Sequence, residues 1–231
     1  MNSDKKMVNY FTKWDGMAPL GIGMLALGFL LLWVGMSLGM GNFSYVLMIL
    51  LFILGTAAFL YGNIGRGHES HIYDRIEDAV ETIHFNELEE DFKLHRRTPK
   101  NPETLVFEGF EFRDDLYIKK KNDATLLSSE YTYVKIVVLK DAFYTKVMTV
   151  PLITQEKTLT THDIPFSSIT DMRVLREEKM ISRGKKEKIK AKTCRICITY
   201  GENQQLLLPI KDDAYVEEHV EDMKKKYGIL Q

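Results

Sequence analysis

The side chains able to do chemistry fall into a few clusters, and each has a plainer use. His162-Asp163 lies close to Ser167 and Ser168, the residue types of a nucleophilic triad. No G-x-S-x-G turn or matched set of supporting residues accompanies them. Asp114-Asp115 and Asp212-Asp213 are paired carboxylates whose surroundings suit a turn and a helix cap. His68, His71 and Asp74 stand three apart, but no Glu or Cys joins them at a metal-defining spacing. Cys194 and Cys197 fall in the alternating run Thr193-Cys194-Arg195-Ile196-Cys197-Ile198-Thr199-Tyr200. A strand places them on opposite faces, where they cannot grip one metal, whereas a redox C-x-x-C normally opens a helix. They are expected to be two reduced cysteines. The sequence therefore predicts no catalytic residue, no metal ligand and no cofactor.

One charge feature is dense. Arg176, Lys179, Arg183, Lys185, Lys186, Lys188, Lys190, Lys192 and Arg195 stand against only Glu177, Glu178 and Glu187, with Ser182-Arg183-Gly184 as the expected tip of a long hairpin. Held near an anionic leaflet, such a hairpin gains about 1 kcal/mol per well-placed Lys or Arg. An acidic protein surface suits it equally, including the acidic stretch 69–91 of the same or a neighbouring copy. The candidate lipid or partner contacts are Arg183, Lys185, Lys186, Lys188, Lys190 and Lys192; the plain alternative is a solvated loop. Stacking aromatics do not interleave with these charges, and net charge is −1, so nucleic acid is not an expected partner.

The elements that must position this hairpin begin with a membrane anchor. Met17–Met40 and Phe43–Tyr61 contain no Asp, Glu, Lys or Arg, and each has roughly the 20-residue length that a bilayer core demands. The connector Gly39-Met40-Gly41-Asn42-Phe43-Ser44 is too short to hold a domain, so the pair predicts a transmembrane helical hairpin over residues 17–64. The first block is longer than the apolar core of a cleavable signal. Lys5, Lys6 and Lys13 precede the hairpin and Arg66 follows it, which places both termini in the cytoplasm by the positive-inside tendency. The expected location is thus the inner membrane, as a multi-pass protein, with Trp14, Tyr61 and Tyr45 as interface anchors.

Gly21, Gly28 and Gly35 recur every seventh residue, with Gly39 four beyond, and Gly55, Ala58 and Gly62 make a second small-residue face. Such faces let backbones approach closely, either within the hairpin or between copies of a homo-oligomer. No ionisable residue lies at membrane depth, which favours an anchor over a transport path.

The remaining chain, about 165 residues, is enough for one compact domain. Residues 1–16 are a polar cytoplasmic segment, with Asp15 as the expected cap of the first membrane helix and Pro19 in its first turn. Residues 65–100 form an acidic amphipathic linker helix with Ile72, Ile76, Val80 and Ile83 on its apolar stripe. From 101 onward the pattern turns to strands: 105–112 with a bulge at Gly109, a short strand near 116–119, then 131–140, 143–151, 158–166, 169–175, 189–200 and 205–210. A closing helix over 212–227 has Asp212 or Asp213 as its cap, Val216, Val220, Met223 and Tyr227 as its buried stripe and Gly228 as its stop. The expected class is α+β: the membrane hairpin plus a bent antiparallel barrel of about seven strands with a C-terminal capping helix.

Two local phrases carry a resemblance. Asp163-Ile164-Pro165-Phe166-Ser167-Ser168-Ile169-Thr170-Asp171-Met172-Arg173-Val174 resembles the "I-P-hydrophobic-x-x-I-x-x-hydrophobic-x-V" strand of bacterial PH-like (GRAM-related) domains, and Val137-Val138-Leu139-Lys140-Asp141 resembles their earlier "V-L-T-D" strand. Lys140 departs from the small hydroxyl residue usual there. The resemblance covers roughly residues 103–228. It implies a non-enzymatic binding or scaffolding module behind a membrane anchor, without implying any one ligand. Two other functions compete on the sequence: an oligomeric channel or transporter subunit built on the glycine faces, and a membrane-bound hydrolase.

Overall fold

The computed structural model describes residues 3–12, 16–38, 42–64, 67–84, 96–121, 125–154, 156–183, 187–212 and 214–229. The chain divides into two compact units, Met1–His71 and Ile72–Gln231.

The first unit is helical. Helix α1 spans Ser3–Thr12, where the sequence is polar overall but sets Met7, Tyr10 and Phe11 at helical spacing, and all three are buried. Helices α2 (Met17–Leu38) and α3 (Asn42–Asn63) are the two apolar blocks. Both are long and apolar enough to cross a membrane, with a mean hydropathy above 2. Only 11% of each span is buried, and Phe29, Trp33, Met36, Val46 and Ile53 point outward. Such a surface suits lipid, which points to a membrane location.

The glycines explain how α2 and α3 meet. A Cβ at Gly21 would lie 2.5 Å from the Phe59 backbone nitrogen, and one at Gly62 would lie 2.6 Å from that of Ala18. Gly55 approaches Gly21 in the same way, and Gly28 accommodates the Phe52 ring. Gly35 is also buried and Ala58 partly so. The small residues at 21, 28, 55 and 62 thus serve packing between two helices of one chain. Gly39 lies outside the described residues, as do Trp14, Asp15 and Arg66.

Helix α4 (Ser70–His84) falls within the expected 65–100, of which residues 85–95 lie outside the described ones. Ile72, Ile76 and Ala79 bury its apolar stripe. Arg75 Nη1 donates to the Leu152 carbonyl at 2.6 Å, and Lys157 Nζ donates to that of Asp78 at 3.3 Å.

Among the described residues nine strands follow: β1 (Thr104–Phe110), β2 (Ile118–Lys120), β3 (Leu126–Ser128), β4 (Glu130–Val138), β5 (Ala142–Pro151), β6 (Thr158–Pro165), β7 (Ile169–Arg183), β8 (Glu187–Tyr200) and β9 (Gln204–Ile210). They form a four-stranded antiparallel sheet in the order β1-β4-β5-β6, a three-stranded sheet β7-β8-β9, and a small β2-β3 hairpin. The expected barrel of about seven strands is not closed among the described residues. At the would-be seam, a Cβ on Gly109 of β1 would come within 3.0 Å of Pro209 of β9, but no ladder joins the two strands. Pro209 has no N–H to extend one, as is usual for proline on an edge.

The inner faces of the two larger sheets share one core, in which Phe143, Ile164, Met172, Ile196, Ile198 and Leu208 are fully buried. Helix α5 (Val216–Tyr227) closes it with Val220 and Met223 and stops at Gly228, whose φ of 63° is left-handed. The expected aspartate cap is absent from the helix start. Tyr215 stands there without a side-chain cap bond, three residues past Asp212, which accepts from Arg176. Asp213 is outside the described residues.

The expected bulge at Gly109 is also absent. β1 pairs with β4 in unbroken register from Thr104 to Phe110. The apolar phase changes because Phe107 belongs to the main core, whereas Phe112 belongs to a second cluster with Ile118, Ile181, Ile189 and Ala191.

Candidate anion-binding groove

That second cluster packs against the β7–β8 arm. β7 and β8 stay paired from Ile169↔Tyr200 out to Arg183↔Glu187, well beyond the three-stranded part of the sheet. Strand alternation sends Ile181, Ile189 and Ala191 to one face of the arm, where Phe112 and Ile118 cover them. The same alternation sends Lys188, Lys190 and Lys192 to the opposite face, all three exposed. Next-but-one residues on a strand are about 6.6 Å apart, so the three ammonium groups form a row about 13 Å long at their roots.

β9 pairs with β8 only from Cys194↔Ile210 to Tyr200↔Gln204. Beyond Ile210 the edge of β8 has no strand beside it among the described residues. A cavity of about 610 Å³ lies there, lined by Phe112, Lys120, Leu126, Ile189 and the three lysines. A smaller one of about 210 Å³ shares Phe112, Leu126 and Lys192 with it and reaches Gly109, Thr193 and Pro209. Together they make a groove with an apolar floor and a cationic rim. Volumes of this order hold specific ligands.

The charges in the arm are partly answered from within. Lys190 Nζ lies 2.6 Å from one oxygen of Glu178, and Lys192 Nζ lies 3.3 Å from the other. The Lys190 hydrogen bond, then that of Lys192, holds the Glu178 carboxyl below its usual range. On the other face Lys179 pairs with Glu177, and Arg195 pairs with Glu111. Lys120 and Lys188 have no carboxylate partner among the described residues. The rim therefore keeps a net positive charge.

Of the six contact residues read from the sequence, the structure brings Lys188, Lys190 and Lys192 to one groove. Lys185 and Lys186 lie outside the described residues, and so does the side chain of Arg183. Sequence reasoning missed Lys120 and Leu126, which reach the groove from the β2–β3 hairpin, and Phe112, which follows β1. The only signal for them was the polar run at 119–123 beside short apolar stretches.

The other chemical clusters are engaged elsewhere. His162 Nδ1 is 3.1 Å from the Tyr200 hydroxyl, Asp163 pairs with Arg97 at 2.6 Å, and Ser168 Oγ donates to the Pro165 carbonyl at 2.8 Å. Asp115 pairs with Arg113 at 3.3 Å. Cys194 and Cys197 are free and buried, and burial is the first cause pushing the Cys194 thiol above its usual pKa. Among the described residues, no group of three or more His, Cys, Asp or Glu is placed to hold a metal.

No family model matches the sequence, and no curated protein or solved structure matches the chain.

Proposed function

We propose that the protein is a membrane-anchored, non-enzymatic binding and scaffolding module. In this reading α2 and α3 cross the cytoplasmic membrane, both termini face the cytoplasm, and the β domain is PH-like. The lysine row 188–190–192 over an apolar floor carries the proposal, because a cationic rim on a groove is a recognition surface for an anionic partner. Support for a PH-like fold comes from the four-stranded and three-stranded sheets followed by a packed C-terminal helix. Of the two phrases that resemble the family, residues 163–174 pass from β6 into β7, and 137–141 lead from β4 into its hairpin turn.

The anchor gives weak binding a use. Six residues, 64–69, separate α3 from α4, a reach of at most about 21 Å when extended. A domain tethered so closely meets membrane partners at high effective concentration, so contacts of modest affinity suffice.

The test uses the full chain in nanodiscs of neutral lipid, titrated with polyglutamate. Binding should weaken with salt, and K188E/K190E/K192E should abolish it. Repeating the titration in anionic nanodiscs asks whether the leaflet itself competes for the groove. Equal affinity of wild type and the charge-reversed variant would refute the assignment.

A further inference from the structure

We infer that the groove binds its partner as an added β-strand: an extended peptide with alternating acidic and apolar residues, continuing the line that β9 leaves at Ile210. This rests on the reading of the groove as the anion-binding surface and names the kind of partner it takes. Three independent features converge. Among the described residues, the edge of β8 over residues 187–193 is paired on its β7 side and unpaired on the other, so its backbone N–H and C=O groups face the groove without a ladder. An unpaired edge is a ready template for another strand. The side-chain environment repeats with the same two-residue period: lysines 188, 190 and 192 alternate with Ile189 and Ala191 of the floor cluster. A strand laid on that edge would offer one face to the ammonium row and the other to Phe112 and Leu126. Finally, the Thr193 hydroxyl, on the lining of the smaller cavity, is buried with no hydrogen-bond partner among the described residues. A buried polar atom left so is costly, and a peptide group arriving beside it would satisfy it.

Charge argues for an acidic strand over a neutral one. Glu178 answers two lysines with one carboxylate, while Lys120 and Lys188 face the groove without one among the described residues. The groove's two linked cavities run past Lys192 toward Pro209, which suits an elongated ligand over a compact anion.

The experiment uses the full chain in neutral nanodiscs and peptides of about eight residues alternating Glu and Val. Two N-methylated forms accompany the parent, one modified at every Glu amide and the other at every Val amide. In a strand, alternate N–H groups point to the same side, so only one form loses the donors that face β8. The parent should bind more tightly than polyglutamate of the same charge, and one methylated form should bind at least about tenfold more weakly than the other. Equal affinity of the two methylated forms would overturn strand pairing, as would a parent no tighter than polyglutamate; in both cases the anion-binding groove stands. Binding of neither peptide nor polyglutamate would overturn both readings. Binding to vesicles of anionic lipid but to no peptide would overturn the strand in favour of a lipid surface.

Discussion

Glu103 ties the start of the β domain to its last helix. Lys226 Nζ donates to Oε1 at 2.8 Å, and the Tyr227 hydroxyl donates to Oε2 at 2.8 Å. The Lys226 bond first, then the Tyr227 bond, lowers the Glu103 pKa, while burial first and then Glu103 raise that of Tyr227. A carboxyl with a depressed folded-state pKa stabilises fully above its ordinary range, and that contribution disappears as pH falls through the depressed value. Glu103→Gln should therefore lower the melting temperature at about pH 7 and have a smaller effect at about pH 3. Thermal melts of the two proteins at both pH values check this; an undiminished difference at acid pH would contradict it. The neighbouring ring cluster gives a larger effect. Phe143 is fully buried, with the Phe166 and Tyr227 rings at 4.9 and 5.1 Å. Phe143→Ala should cost about 3–5 kcal/mol in denaturant unfolding. Its burial was legible from the apolar alternation of 143–151, but its aromatic partners were not, because they come from a turn and a helix remote in sequence.

At the scale of elements, the hairpin of α2 and α3 depends on close backbone approach. Gly21→Leu would drive a side chain into backbone atoms of Gly55 and Phe59, whereas Gly23, which has nothing within 4 Å, is open. Gly21→Leu should therefore lower the melting temperature in detergent and Gly23→Leu should not; equal effects would contradict the packing. The element types and most strand limits were legible because period-two and period-3.6 patterns are local properties of the chain. The exceptions are informative. Three apolar residues in a polar segment, Met7, Tyr10 and Phe11, were enough for α1. The Gly109 phase change marked a passage between two cores, which one strand's pattern cannot separate from a bulge. The last helix starts beyond Asp212, which pairs with Arg176, a contact between distant segments.

At the scale of the molecule, the proposed function joins an apolar helical hairpin as anchor to a β domain whose lysine-rimmed groove is the recognition surface. The sequence marked the charge density of 176–195 but not its direction. Only the long β7–β8 pairing shows that Lys188, Lys190 and Lys192 share a face, and only the short β9 leaves the edge beside them open. The most direct test of the central claim is lysine footprinting of the full chain in neutral nanodiscs, by acetylation and mass spectrometry with and without polyglutamate. The account predicts protection of Lys120, Lys188, Lys190 and Lys192 while Lys224 and Lys225 of α5 react unchanged. Protection spread evenly over all lysines, or confined to α5, would contradict it.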